Sequence, residues 1–164
     1  MSDIRFEIDD KLFFYRAGAI IINNGKILMA KNANHSYYYS VGGAVAFGEI
    51  AEEAVIRETY EETGLTFEVE RLAFIHENFF IADFWKNKPT HEIAMYFIMK
   101  PHPHLDQIRC KSHGCDGGAE SMFWLDIDKL GEYELYPHFF KAHLANLTDK
   151  VLRFVTRDEI TLLK

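Results

Sequence analysis

The segment from Ala51 to Thr63 contains neither glycine nor proline, and glutamate and alanine recur along it. Both residue types favour the α-helix. Glycine, which stands at position 64, often follows a helix because it adopts a left-handed backbone without strain. These features predict a helix over residues 51–63 that ends at Gly64. Any fold of the chain has to place this helix against the remaining residues.

The remainder of the chain is dominated by short apolar runs rich in β-branched and aromatic residues, which predict strands. The predicted strands cover Ala17–Ile22, Lys26–Ala30, Tyr37–Val41, Thr66–Ile75, Glu92–Met99 and Ser121–Leu125, with Val151–Thr156 as a last edge strand. Asn23-Asn24-Gly25 joins the first two as a hairpin turn, because Asn and Gly tolerate positive φ. Asp83–Thr90 is predicted to be a hairpin tip, Pro101–Gly118 a long loop, and His138–Leu147 a second helix. The expected fold class is therefore α/β in the α+β sense, a mixed β-sheet with helices packed on its faces.

Composition excludes several functional classes. A chain of 164 residues, of which 48% are hydrophobic, is expected to form a single domain over residues 1–164. Its net charge of −7 argues against binding to a nucleic-acid backbone, which requires a basic surface. The chain does not begin with a signal-peptide pattern, and no apolar stretch reaches the roughly 18 residues of a membrane span. With only two cysteines, Cys110 and Cys115, we expect a cytoplasmic monomer or homodimer with reduced thiols.

Three glutamates on the predicted helix give the first indication of chemistry. Glu58, Glu61 and Glu62 are three and four residues apart, so at about 100° per residue they share one face of the helix. Like charges at this spacing repel each other and work against a helix built for stability alone. Hard cations such as Mg²⁺, which prefer oxygen ligands, relieve that repulsion. Taken alone, three such residues more often form a solvated helix surface than a metal site. The surrounding sequence pattern distinguishes the two.

The wider segment begins at Gly43 and reads GAVAFGEIAEEAVIRETYEETGL. Its characteristic positions follow Gly43 at set spacings and are Glu49, Arg57-Glu58, Glu61-Glu62, Gly64 and the apolar Leu65. This pattern resembles the Nudix box. Seven positions at an average residue usage of about 6% match by chance on the order of 10⁻⁹ per starting point, so coincidence is a poor explanation. One position departs from the box, since Thr59 stands where an aliphatic residue is usual, although its β-branched shape lets it pack half-buried.

The resemblance implies a Nudix-like α/β/α sandwich around a mixed β-sheet. It also implies a hydrolase that cuts a diphosphate linkage by attack of water on phosphorus. The box would hold one or more Mg²⁺ or Mn²⁺ ions, which neutralise charge on the diphosphate and acidify a bound water. Glu58 and Glu62 are implied as metal ligands, and Glu61 as a ligand or as the general base.

Other residues receive supporting roles from the same resemblance. Arg57 and Glu49 would orient the carboxylates, and Gly43 would let the backbone approach the substrate where a Cβ would clash. In this family the general base often comes from outside the box. Asp116 and Glu120, on or next to the long loop, are the candidates here, and an ordinary turn role for Asp116 is equally compatible with the sequence.

The sequence leaves the group attached to the diphosphate open. A nucleoside diphosphate derivative or a nucleoside triphosphate is the expected substrate. Phe79, Phe80, Trp85 and Tyr96 are candidates to stack against a base, although aromatic residues in such positions more often belong to a core or a dimer contact.

Two other functions remain as alternatives. The loop over residues 102–115 contains His102, His104, Cys110, His113 and Cys115, and zinc favours these residue types. Their spacing lacks the paired regularity of structural zinc sites, which disfavours this alternative. The second alternative is a catalytically weak Nudix fold that serves as a nucleotide-binding or regulatory module. It is disfavoured because every acidic position of the box is filled.

Overall fold

The computed structural model describes residues 2–158, which form two β-sheets and two helices. The first sheet contains β1 (Arg5–Ile8), β2 (Lys11–Ile20), β6 (Gly42–Ala44), β7 (Val69–Ala82), β8 (Lys88–Met99) and β11 (Leu152–Arg157). The second sheet contains β3 (Ile22–Asn23), β4 (Lys26–Asn32), β5 (Tyr38–Ser40), β9 (Glu120–Asp126) and β10 (Leu135–Tyr136). The helices are α1 (Ala51–Thr63) and α2 (Phe140–His143). Short 3₁₀ segments lie at Asp83–Trp85, Leu105–Gln107, Ile127–Glu132 and Leu144–Asn146.

The first sheet is mixed, as the sequence predicted. Its strands follow the order β1-β2-β8-β7-β11, and β6 pairs with β2. β2 runs parallel to β8, and β11 runs parallel to β7 at the edge of the sheet, whereas β7 and β8 form a long antiparallel hairpin. In the second sheet the order is β10-β5-β4-β3, with β9 paired to β4. The predicted edge position of the last strand is thereby confirmed.

Two buried clusters lie on opposite faces of the first sheet, because side chains alternate along each strand. On one face, Ala17 of β2 and Phe97 of β8 pack with Val55 of α1. On the other face, Tyr96 of β8 packs with Phe140 of α2 and with residues of the second sheet. The expected layering of helix, mixed sheet and helix is confirmed.

Helix α1 occupies the residues predicted for it. Gly64 has a φ of 77°, and its N–H donates to the carbonyl of Tyr60 at 2.8 Å, so the glycine cap is present as expected. Thr59 is completely buried rather than half-buried. Its hydroxyl donates to the carbonyl of Val55, which satisfies the polar group inside the core.

The predicted second helix is wrong in length. Instead of spanning His138–Leu147, it consists of the four residues of α2 followed by a 3₁₀ turn. Phe140 is fully buried, with ring contacts to Phe74 and Tyr96, so packing of an aromatic side chain overrides the helical period of this segment. Within residues 2–158, neither helix has the length and apolar character needed to cross a membrane.

Strands β1, β6 and β10 escaped prediction entirely, and β2, β7 and β8 extend beyond their predicted bounds. β7 continues past Ile75 to Ala82. This extension carries His76 and Asn78, whose polarity hid the strand signal and which face the cleft described below. β1 was not predicted, because its apolar residues Phe6 and Ile8 are exposed and mark no core face.

Candidate active site

A cleft of about 630 Å³ opens over the first sheet. Its floor is formed by side chains from four adjacent strands: Phe14, Arg16, Glu92, His76, Asn78, Phe80 and Thr156. Carboxylates from α1 and β9 enter at one end, and these are Glu58, Glu61, Glu62 and Glu120. Aromatic side chains line the walls, among them Tyr37, Phe84, Tyr136 and Phe139. The cleft therefore combines an acidic end with an aromatic region.

The three carboxylates of α1 lie at different depths. The side chain of Glu61 is 56% exposed and stands at the mouth of the cleft, whereas that of Glu58 is 14% exposed. Glu62 is buried and lies against the start of β6, where the backbone N–H of Gly42 donates to its two oxygens at 3.2 and 3.3 Å. The helix periodicity thus brings all three to the same cleft.

Glu62 is held in an unfavourable electrostatic environment. Burial raises the pKa of this carboxyl well above its ordinary value, and the neighbouring Glu120 and Glu58 raise it further. The positive charge of Arg16 acts to lower the pKa of Glu62. Burial also raises the pKa of Glu58, against the effect of Arg57. A buried carboxylate among other carboxylates is costly unless a cation compensates it.

Arg57 links the loop before α1 to its carboxylates. Its guanidinium binds Glu49 through two nitrogens, at 2.9 and 3.0 Å, and donates to the carbonyl of Ala44 at 2.9 Å. The remaining nitrogen, Nη1, contacts Glu58 at 2.6 Å and Glu61 at 3.4 Å. This bidentate pairing fixes the position of the guanidinium, which in turn orients Glu58.

Gly43 has a more specific role than the expected approach of backbone to substrate. A Cβ at this position would stand 2.4 Å from Oε2 of Glu58, which is closer than non-bonded atoms approach. The glycine therefore makes room for the carboxylate of Glu58 beside β6.

The two candidate bases outside the box occupy different places. Glu120 lies next to Glu62 in the cleft and accepts a hydrogen bond from the hydroxyl of Tyr39. Asp116 accepts three hydrogen bonds, from Gly118 N at 3.0 Å, Asn32 Nδ2 at 2.7 Å and His35 Nε2 at 2.8 Å. These donors, the backbone of Gly118 first, lower the pKa of Asp116 to about 2. The structure therefore brings Glu120 to the carboxylates and ties Asp116 into its loop.

Three further cleft residues were missed by the sequence analysis. Arg16 donates through Nη2 to the carbonyls of Ser40 at 2.6 Å and Gly42 at 3.0 Å, and its charge acts on both Glu62 and Glu92. Glu92 is a buried carboxylate on the floor, and Tyr39 is the partner of Glu120. The available signal was a charged residue inside an apolar strand, since arginine and glutamate are rarely buried without a reason.

The four aromatic candidates for base stacking separate into different environments. Phe80 lines the cleft, and Tyr96 forms part of its buried floor. Phe79 points to the other face of the sheet, where it stacks on His91 at a centroid distance of 4.2 Å. Trp85 donates through Nε1 to Glu7 at 2.7 Å and lies under Arg5, so it fastens β1 to the hairpin.

Comparison with known proteins decides the family. The sequence profile of the NUDIX domain matches residues 13–147, which include every carboxylate of the acidic end. The chain belongs to the NUDIX family.

Relatives of this NUDIX chain carry related names. A MutT-like protein of Streptomyces ambofaciens is 26% identical over 116 residues, covering 71% of this chain and 65% of that protein. An ADP-ribose pyrophosphatase of Methanocaldococcus jannaschii is 40% identical over 114 residues, covering 68% and 60%. An RNA pyrophosphohydrolase of Tolumonas auensis is 30% identical over 129 residues, covering 71% of each. The chain thus spans less than two thirds of the length of the first two.

Solved NUDIX structures share the fold. The MutT protein of Bacillus halodurans superimposes with a TM-score of 0.65 at 18% identity, over 89% of this chain and 92% of that one. The MutT NUDIX hydrolase of Burkholderia pseudomallei gives a TM-score of 0.61 at 24% identity, over 83% and 98%. At these identities the likeness concerns the fold alone.

The acidic end of this NUDIX cleft fits a hard divalent cation by the chemistry of its donors. Glu58, Glu62 and Glu120 offer only carboxylate oxygens, which Mg²⁺ and Mn²⁺ prefer. Glu62 is buried with only two long contacts from one N–H, and no ion pair within 4.0 Å includes it among residues 2–158. Within the same residues, no three His, Cys, Asp or Glu side chains already converge at ligand distance, since Glu58 is turned toward Arg57.

The histidines and cysteines of the 102–115 loop do not form a second metal centre in the described part of the chain. Both cysteines are free thiols. Cys110 contacts the backbone oxygen of Glu120 at 3.2 Å, and Cys115 accepts from Arg5 at 3.0 Å. His102 packs on Phe67 instead. These three side chains each have a different partner, and among residues 2–158 no three potential zinc ligands lie together.

Proposed function

We propose that this NUDIX chain hydrolyses a diphosphate linkage in a nucleoside diphosphate derivative or a nucleoside triphosphate, and that it requires Mg²⁺ or Mn²⁺. The observation that carries the proposal is the buried carboxylate of Glu62, which lies beside Glu58 and Glu120 and, among residues 2–158, has no ion pair within 4.0 Å, although the charge of Arg16 acts on it. An arrangement that is costly for the protein alone is explained if a cation and an anionic substrate complete it. The names of the pyrophosphatase relatives support this proposal.

The residues divide the work as follows. Glu58 and Glu62 would hold the cation, with Glu61 at the mouth as a further ligand. A bound cation would neutralise charge on the diphosphate and lower the pKa of a bound water. Arg57 positions Glu58 from the side. Arg16, in the middle of the floor, supplies a fixed positive charge next to the acidic end, which favours a phosphate there.

We assign the general base to Glu120 rather than to Asp116. Glu120 adjoins the proposed ligand Glu62, and Tyr39 orients the carboxylate of Glu120. Asp116, with a pKa of about 2, is a weak base, and its hydrogen bonds to three donors would have to break before it could act. The proton of the attacking water would therefore pass to a carboxylate oxygen of Glu120.

Turnover of a nucleotide panel tests the proposal. Nucleoside triphosphates, nucleotide sugars, ADP-ribose and dinucleoside polyphosphates are incubated with the protein in Mg²⁺, in Mn²⁺ and in EDTA, and the products are separated. We expect hydrolysis of at least one compound with metal and none in EDTA. Glu62→Gln should lower kcat by about 10²-fold or more, because it removes a charge that the transition state requires.

Glu52→Gln is the matched control, since Glu52 lies exposed on the same helix, away from the cleft. It should keep wild-type activity. Absence of turnover for every compound, from folded protein with titrated metal, would contradict the proposal and favour the nucleotide-binding module. Full activity of Glu62→Gln would contradict the assignment of the acidic end.

A further inference from the structure

A polar row crosses the cleft floor outside the Nudix box. In the ladder of β7 and β8, Asn78 is the direct partner of Glu92, and in the parallel ladder Glu92 is the partner of Phe14. On the other side, Thr156 of β11 is the partner of Asn78. Cross-strand partners project to the same face of a sheet, so these four side chains form one row beneath the cleft.

Glu92 is the unexplained member of this row. It is 5% exposed, although it lines the cleft, and no residue of the mechanism above uses it. The amide of Asn78 donates to it, and Arg16 acts on it through its charge, yet no ion pair within 4.0 Å includes Glu92 among residues 2–158. A carboxylate has about four acceptor positions, so one amide donor leaves most of them to a ligand.

Arg16 separates Glu92 from the acidic end. Along β2, Phe14 precedes Arg16 by two residues and pairs with Glu92, whereas Gly18 follows Arg16 by two residues and pairs with Gly42, whose N–H contacts Glu62. A ligand whose phosphates lie at the acidic end, next to Arg16, therefore extends its organic part over Glu92. Phe14 borders that position across the sheet, and Phe80 lies two residues beyond Asn78 on the same face. Aromatic side chains around a buried acceptor suit a planar ring with N–H groups better than a sugar.

We propose that Glu92 and Asn78 form a base-binding subsite that selects a nucleobase with two adjacent N–H donors, as guanine has at N1 and N2. This proposal rests on the proposed function for the position of the phosphates. Guanine directs both donors at one carboxylate in a bidentate contact. Adenine, cytosine and uracil each place an acceptor within the corresponding edge, and that acceptor would face the carboxylate. A site built to accept hydrogen bonds rejects such ligands because its own polar groups lose their partners.

The test is the binding of nucleoside monophosphates in EDTA, measured by titration calorimetry, so that no turnover is required. Wild-type protein should bind GMP at least about tenfold more tightly than AMP, CMP or UMP. Glu92→Gln should reduce that preference to less than about threefold. Glu70→Gln, the same substitution at an exposed position of β7, should retain it.

Further variants make the outcomes decisive. If Glu92→Gln does not fold, Asn78→Ala takes its place, since removal of the amide should also weaken GMP selectively. Equal binding of the four monophosphates to the wild type, or an unchanged preference in both variants, would overturn the proposal. If Glu92 instead binds the two ribose hydroxyls, dGMP should bind more weakly than GMP, and the four ribonucleoside monophosphates should bind equally. That result would also overturn the proposal. A guanine preference in EDTA combined with absent hydrolysis would leave the subsite intact and remove the proposed function alone.

Discussion

At the scale of single residues, the carboxylates of the cleft differ in what surrounds them. Glu61 is largely solvated, Glu58 is held by Arg57, and Glu62 is buried beside like charges. The sequence places all three on one face of the helix, so only their depth in the fold distinguishes them. Asp116 and Glu120 differ in the same way, since Asp116 is satisfied by donors from its own loop, from the end of β4 and from the turn after β4, whereas Glu120 faces the cleft.

The assignment of the base is tested at this scale by Glu120→Gln and Asp116→Asn. Glu120→Gln should lower kcat at saturating metal by about 10²–10⁴-fold, the usual contribution of a positioned base. Asp116→Asn should change kcat by less than about tenfold, because the oxygens of Asp116 are held by Gly118, Asn32 and His35 and the proposed base is Glu120. Initial rates at several Mg²⁺ concentrations separate kcat from metal affinity. A large kcat loss in Asp116→Asn, with Glu120→Gln nearly normal, would reverse the assignment.

At the scale of secondary-structure elements, the contact between β6 and α1 is the one that shapes the site. β6 presents Gly43 to Glu58 and the N–H of Gly42 to Glu62. Gly43→Ala should displace the carboxylate of Glu58 and lower kcat by about tenfold to 10²-fold, since small displacements of a catalytic group are costly. The free energy of unfolding should change by no more than about 1 kcal/mol, because the clashing atoms are the end of a flexible side chain.

Urea unfolding and steady-state kinetics of the same preparation check this expectation. Gly131→Ala is a suitable control, because a Cβ at Gly131 meets no atom within 4 Å. Loss of folding in Gly43→Ala, rather than loss of rate, would show that the glycine is required by the sheet and not by Glu58.

Elements with one strong local signal were predictable from the sequence, and the remainder depended on tertiary contacts. Helix α1 and Gly64 carry their own propensity and cap, so their positions agree with the prediction. The part of β7 beyond Ile75 was not predicted, because the residues that make it part of the site are polar. Arg16 and Glu92 each stand out as a charge in an apolar segment, but only the pairing of β2 with β8 shows that the two belong to one cleft.

At the scale of the whole molecule, His76 makes stability depend on pH. Burial lowers the pKa of His76 to about 4 from an ordinary value of 6.5. Between these values the unfolded chain binds a proton that the native protein does not, so the free energy of unfolding falls as the pH falls through this range. Above about pH 6.5 the contribution of His76 to the free energy of unfolding is fully present. Burial of Glu62 and Glu92 raises the pKa of both carboxyls and acts with the opposite sign, because the native state then takes up protons first.

The effect of His76 is therefore measured as a difference between variants. Wild type and His76→Gln are unfolded with urea in EDTA at pH 7.5 and at pH 5. On acidification the wild type should lose about 1–2 kcal/mol more than His76→Gln does. His104→Gln, at an exposed loop position, should follow the wild type. Equal losses in wild type and His76→Gln would show that the imidazole is not the titrating group.

Arg16 gives the cleft a polarity along its length, because along β2 this fixed positive charge lies between Glu92 and the acidic end. An elongated ligand with a negative end and a donor-bearing end matches this pattern in one direction only. In the reverse orientation, the ligand would place its phosphates over Glu92 and its N–H donors at the acidic end. Under the proposed function, productive encounters would share a single orientation, and the same phosphorus atom would meet the attacking water in every turnover. A charge that contacts two backbone carbonyls would in this way determine which of two chemically similar bonds is broken.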